Sequence, residues 1–283
     1  MAKVELSSRR ERLAEAAGRF YRQLVEDAEV HGTDGSEIVE VTRVGKRFTD
    51  LTVRRPSESG EPHSGVVSVR RFDAAETREI RVYLHGGNDR VVVRGHATGR
   101  TIVRVIAGAG RTTFADSTAG GGAERIRYYA ESEASAAEPR TRARIDRRPY
   151  VAPQTSRGWI DPPRDWGTRR SWAPWASYSP DAGLFLGGGP TFERYGFRQH
   201  PYAARMSLLA GYAAGVNRWR AEFTADLRRE GSAMHATVVA RASELDILHF
   251  HGFGNETSAP GPKAFHRVEQ RAFGVEPMLH VPL

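Results

Sequence analysis

From Arg218 to Arg228 the chain alternates without a slip. Trp219, Ala221, Phe223, Ala225 and Leu227 are apolar, and every residue between them is charged or polar. A period of two is the mark of a strand with one face out of water. A helix with Trp219, Phe223 and Leu227 on one face would leave Ala221 and Ala225 among charges on the other, so the pattern predicts a strand. The surrounding sequence, "GLFLGGGPTFERYGF", "RMSLLAGYAAGVNRWRAEFTADLRR", "AMHATVVARAS" and "HRVEQRAFGVEPMLHVPL", divides into further strands of about ten residues. Turn signals separate them at Arg198–Tyr202, Ala214–Asn217 and Arg229–Ala233.

Upstream the period changes. Leu13, Ala16, Ala17, Phe20, Tyr21, Leu24 and Val25 recur at three- and four-residue steps, which predicts a helix over 8–31 within an amphipathic segment 1–35. Ser8 with Glu11 fits a capping box and Gly32 a C-terminal stop. The apolar stripe is expected to pack into a core. Residues 36–130 predict a β-rich module, sandwich or roll-like, of short Val/Ile/Tyr-rich strands between Gly, Asp, Asn and Ser turns. Two of its stretches are loose repeats, "HGGNDRVVVRG" (His85–Gly95) and "AGAGRTTFADS" (Ala107–Ser117), each a Gly-rich turn followed by a strand. They resemble the turns of calcium-binding β-rolls. However, Asn88, Asp89 and Asp116 are the only carboxylate or amide candidates, and Arg111 stands where an acid is wanted. Plain stacked turns explain the glycines, and no metal is expected.

Residues 131–180 have the composition of a linker, rich in Arg and Pro, with Trp159, Trp166, Trp172 and Trp175 inside it. Pro149, Pro153, Pro162, Pro163, Pro174 and Pro180 oppose helix and sheet alike. The tryptophans either pin the linker to a neighbouring domain or lie at a membrane interface.

The length of 283 residues suggests about two domains. Hydrophobic residues make up 39%, with 29 Gly and 15 Pro, which favours turns and strands over helices. The absence of cysteine excludes disulfides, thiol catalysis and cysteine metal sites. The net charge of +8 raises anionic partners, but its densest run, Arg140–Arg148, holds no interleaved aromatics. It reads as a solvated linker, and no nucleic acid is expected. No apolar run reaches the length of a transmembrane helix. The start "MAKVELSSRRERLAEAAG" lacks the apolar core of an export signal, so the chain is expected to be intracellular or to begin upstream.

The residues exclude the familiar chemistries. No GxSxG, HExxH, P-loop or dinucleotide fingerprint occurs. His249 and His251 stand two apart, His235, His266 and His280 are scattered, and no third ligand follows at metal spacing. Asp161, Asp165 and Asp181 read as turn residues. No catalytic, cofactor-binding or metal-binding residue is named, no cofactor is expected, and the chain is not expected to be an enzyme.

Two features of the tail bear on its solvent. Its apolar positions include many small residues, Ala210, Ala214, Ala221, Ala225, Ala236, Ala240 and Ala242, where a sandwich core prefers bulk. Its polar positions carry dense charge of both signs, Arg218, Arg220, Glu222, Asp226, Arg228 and Arg241, as a wet lumen would. Pattern alone leaves a membrane barrel and a soluble sandwich both open.

The stretch Asp165–Glu230, followed by "ELDILHFHGFGNET" (Glu244–Thr257), resembles the opening strands of the BamA/TamA-type bacterial surface-antigen barrels. In that likeness "GLFLGGG" matches the first strand, "YGFRQHPY" the first turn and "HGFGNET" a loop after the fourth strand. Segment 80–117 is similar to the β-rich segment that precedes such barrels. The resemblance implies a mainly β protein of the bacterial outer membrane. Its parts would be an N-terminal helix, a periplasmic-type β-rich module at 36–130, a linker at 131–180 and, at 181–283, about five antiparallel strands of an incomplete transmembrane barrel. It implies that the chain is a fragment of a longer protein. The implied role is structural anchoring or protein insertion or translocation, with outer-membrane lipid and other outer-membrane or periplasmic proteins as partners. The competing expectation is a soluble β-rich binding module for glycans or anionic ligands.

Overall fold

A computed structural model describes residues 2–56, 65–96, 98–120, 125–130, 132–150, 164–250, 261–262 and 266–282. It divides into two compact units, Met1–Val151 and Ala152–Leu283. The protein is mainly β, with one helix ahead of the strands.

The first unit opens with α1 (Ala2–Glu26), then β1 (Asp27–His31), β2 (Ile38–Val44), β3 (Phe48–Arg54), β4 (Val66–Asp73), β5 (Glu79–Tyr83) and β6 (Asn88–Gly95). It continues with β7 (Ile102–Ile106), β8 (Arg111–Asp116), β9 (Ile126–Tyr129), β10 (Ala136–Ala137) and β11 (Arg144–Asp146). The helix differs from the expected 8–31. It starts earlier, so Ser8 lies inside it and is not its cap. It also ends earlier, because Asp27–His31 pairs in parallel with β5 and buries Ala28 and Val30. Tertiary pairing overrides the helical period there. Nor does the stripe of α1 pack into the core: Leu13, Phe20, Tyr21 and Leu24 are exposed.

From β5 onward the chain passes alternately between two sheets. The order β1-β5-β7-β9-β11 is parallel throughout; in β10-β8-β6-β2-β3-β4 only the β2–β3–β4 hairpins are antiparallel. Each circuit thus adds a parallel strand to both sheets, a roll rather than a sandwich. The two expected repeats lie on successive circuits, with Asn88 beside Arg111 and Val91 beside Phe114. Their turns stack so closely that a Cβ on Gly108 would overlap the His85 carbonyl oxygen. Parallel sheets with hydrophobic inner faces need a core between them. Val30, Ile80, Val82, Val103, Val105 and Ile126 of one sheet meet Val39, Val41, Leu51, Val91, Val93 and Phe114 of the other in one cluster. Phe114 stacks on Tyr128 with ring centroids 4.5 Å apart.

Polar residues border this core. At one edge Glu37, Asp89, Thr112 and Ser135, on or just before β2, β6, β8 and β10, stand in successive positions and are all buried. Near the other, buried Arg43 donates to the carbonyls of Gly99 (3.0 Å) and Thr101 (2.8 Å). Burial lowers its pKa to about 10, so it stays cationic. On the opposite side of the first sheet, Glu29, Arg81, Arg104, Arg127 and Arg144 stand in one row. Glu79 lies between two of these arginines, 2.6 Å from Arg81 Nε and 3.0 Å from Arg104 Nε. Part of the basic excess is therefore taken up by internal ion pairs.

The second unit holds β12 (Thr168–Ser179), β13 (Gly183–Gly196), β14 (Gln199–Ala213), β15 (Arg218–Arg228), β16 (His235–His249) and β17 (Arg267–His280). They form one sheet in chain order, antiparallel at every step. The segment expected as a linker contributes three strands, β10, β11 and β12. Pro174 is accommodated because β12 lies at the sheet edge, where a missing N–H need not break a ladder. Gly183–Gly196 is consequently the second strand of the sheet, not the first.

Candidate functional site: a sheet with one apolar and one ionic face

Cross-strand register decides which side chains share a face. One row across the sheet runs Trp172, Pro190, Leu208, Phe223, Ala240, Val275. The next runs Pro174, Gly188, Ala210, Ala221, Ala242, Phe273, and on the other side lie Arg170, Phe192, Met206, Ala225, Val238, Pro277. With Tyr178, Leu184, Leu186, Tyr212 and Trp219 towards the β12–β13 and β14–β15 turns, the face is apolar over all six strands except at one end of β12 and β13, where Arg170, lying over the Phe192 ring (5.9 Å), and Arg194 share it. It is also uncovered: Trp172 is 70% exposed, Leu208 52%, Phe223 37% and Phe273 81%. The small alanines of the tail fall on this face, except Ala214, which lies in a turn.

The opposite face is ionic. Arg205 pairs with Glu193 (3.5 Å), while Arg220 (3.2 Å) and Arg241 (3.3 Å) flank Glu222. Arg228 pairs with Asp226 (3.0 Å), which also accepts from the Tyr202 hydroxyl (2.8 Å). Arg271 lies 3.3 Å from Glu244. Each surface pair alone contributes little, but together they hold charge of both signs on one side of the sheet. Trp175 points to this face, edge-on to Phe185 (4.9 Å) with Arg220 over its ring (5.0 Å). The tryptophans of the expected linker are thereby sorted: Trp172 lies on the apolar face, Trp175 on the ionic one, Trp166 just before β12 with Arg164 over its ring (4.8 Å), and Trp159 outside the described residues.

The ligand candidates that the sequence offers do not converge. Among the described residues no group of three or more His, Asp or Glu could hold a metal. His235 and His280 stack across β16 and β17 with centroids 4.1 Å apart. His251, the "HGFGNET" loop and Asp161 lie outside the described residues, as do the side chain of His249 and the structure of most of the Asp-to-Pro stretch before Arg164. Asp181 sits in the β12–β13 turn, as expected. Two contacts have no signal in the sequence. His31 Nδ1 lies 3.0 Å from His85 Nε2, and Glu37 meets Asp89. Each joins residues more than fifty positions apart, and only parallel stacking brings them together.

No helix among the described residues is long and apolar enough to cross a membrane, which leaves crossing by strands open. No family model, curated protein or solved structure matches the chain.

Proposed function

We propose that β12–β17 is part of an outer-membrane β-barrel of the BamA/TamA type, with lipid hydrocarbon against its apolar face. In this reading the parallel module is periplasmic, and the protein anchors, inserts or translocates other proteins without catalysis in this portion. One observation carries the lipid reading: an apolar face continuous over six strands lies uncovered while the ion pairs occupy the other side. A soluble sandwich buries such a face under a second sheet; a membrane barrel turns it outward and keeps the polar side within. Strands of 11 to 15 residues exceed the roughly 9–11 that a tilted strand needs to span the hydrocarbon. Spanning requires closure, since open strand edges leave backbone groups unpaired in lipid. The free edges of β12 and β17 therefore need further strands as neighbours. The likeness of Asp165–Glu230 to the surface-antigen barrels supplies the protein type.

The native chain has no cysteine, so single cysteines give clean probes. A bimane label at Ala240, on the apolar face, is expected to be quenched by doxyl lipids in membranes carrying the assembled protein. One at Thr224, on the ionic face, is expected to escape. Equal quenching at both sites would reject a lipid-facing sheet. In detergent-free buffer the 283-residue chain is expected to aggregate through its apolar face and open edges. Light scattering that finds a monodisperse monomer with a cooperative melt would favour the soluble module.

A further inference from the structure

We propose that Glu37, Asp89 and Thr112 form a buried calcium site inside the parallel module. It stands on the first unit alone and does not depend on the lipid reading of the second. The three residues occupy neighbouring inward positions on β6, β8 and the residue before β2, and are 2%, 4% and 1% exposed. The backbone and hydroxyl of Thr33 both donate to Glu37 Oε1, and the Glu37 N–H donates to Asp89 Oδ1 at 2.9 Å. Two oxygens remain over: Glu37 Oε2 and Thr112 Oγ1 are buried without a hydrogen-bond partner. Gly32 leaves the space beside Glu37 Oε2 open, since a Cβ there would lie 2.9 Å from it.

Two adjacent carboxylates out of water need a counter-charge. Among the described residues neither has an ion pair with a basic side chain. The groups beyond Thr112 are Tyr128, whose hydroxyl donates to the Thr112 carbonyl (3.5 Å), and Arg147, which donates to the Ser135 carbonyl (3.4 Å). Arg43 and Asp116 stand at the far edge of the core. A divalent cation neutralises both carboxylates together. The donors are all hard oxygens, which suit Ca²⁺ rather than a transition metal, with water completing the shell.

Hydrogen exchange of the full chain in detergent micelles at pH 7.5, read by mass spectrometry, tests the site. Saturating Ca²⁺ is expected to slow exchange at least about tenfold in peptides covering 33–44 and 86–95, relative to chelator, since the ion binds only the closed arrangement. Asp89→Asn and Glu37→Gln should abolish that calcium effect. Both keep the side-chain shape, and Asp89→Asn should exchange more slowly than the native chain in chelator because a buried charge is gone. Identical native exchange with Ca²⁺ and with chelator would overturn the proposal and leave the two carboxyls sharing a proton. A calcium effect that persists in both variants would overturn it equally.

Discussion

Phe223→Arg is expected to weaken the membrane-assembled form by about 2–4 kcal/mol, the cost of an arginine facing lipid at the bilayer midplane. Phe223 is the middle residue of β15 and sits between Leu208 and Ala240 on the apolar face. No basic partner stands beside it there, because the ion pairs lie on the other side. The control is its neighbour. Thr224 differs by one position and points to the ionic face, between Ser207 and Val239, near Glu222 and Asp226. Thr224→Arg is expected to be tolerated within about 0.5 kcal/mol, as surface substitutions usually are. Urea unfolding from lipid vesicles separates the two. Equal losses would mean that both faces meet the same medium, and the lipid reading would fail. A loss at Thr224 alone would place the buried layer on the ionic side.

That contrast is available because the alternation of Arg218–Arg228 is a local property. Side chains on a strand change face at every residue, so a face that meets one medium writes itself into the sequence with a period of two. The same logic exposed the strands of the first module but not their partners. Parallel pairing joins residues a whole circuit apart, and nothing near Glu37 announces Asp89. The end of α1 was obscured for a related reason. Ala28 continues the helical spacing of Leu24 and Val25 and also alternates with Val30 as a strand would, and only pairing with Ile80 and Val82 decides between them. β12 was hidden by composition: Trp172, Pro174, Ala176 and Tyr178 share a face, yet their prolines and arginines read as linker until β13 is laid beside them. The uncovered stripe on α1 follows from geometry that periodicity does not contain, since a stripe records a preference for burial and not its fulfilment.

Gly108→Val is expected to destabilise the parallel module by about 4 kcal/mol, in the range reserved for changes that the surrounding fold cannot absorb. The turn before β8 lies directly on the turn before β6. The Ala109 N–H donates to the His85 carbonyl at 2.7 Å, and that same carbonyl oxygen fills the space a Cβ on residue 108 would need. A side chain there forces the two turns apart. It breaks the Ala109 bond and loosens the adjoining bond from Leu84 N–H to Ile106 O, at 3.1 Å. Gly45, in the β2–β3 turn, provides the comparison. Its φ of +64° is costly for other residues, but nothing lies within 4 Å of its Cβ position. Gly45→Ala should therefore lose only about 1 kcal/mol, from backbone conformation alone. Hydrogen exchange across 84–110 in the full chain measures both. Turns packed in contact require a far larger loss at Gly108 than at Gly45; if the two match, the circuits are spaced too widely for the stacked arrangement to hold.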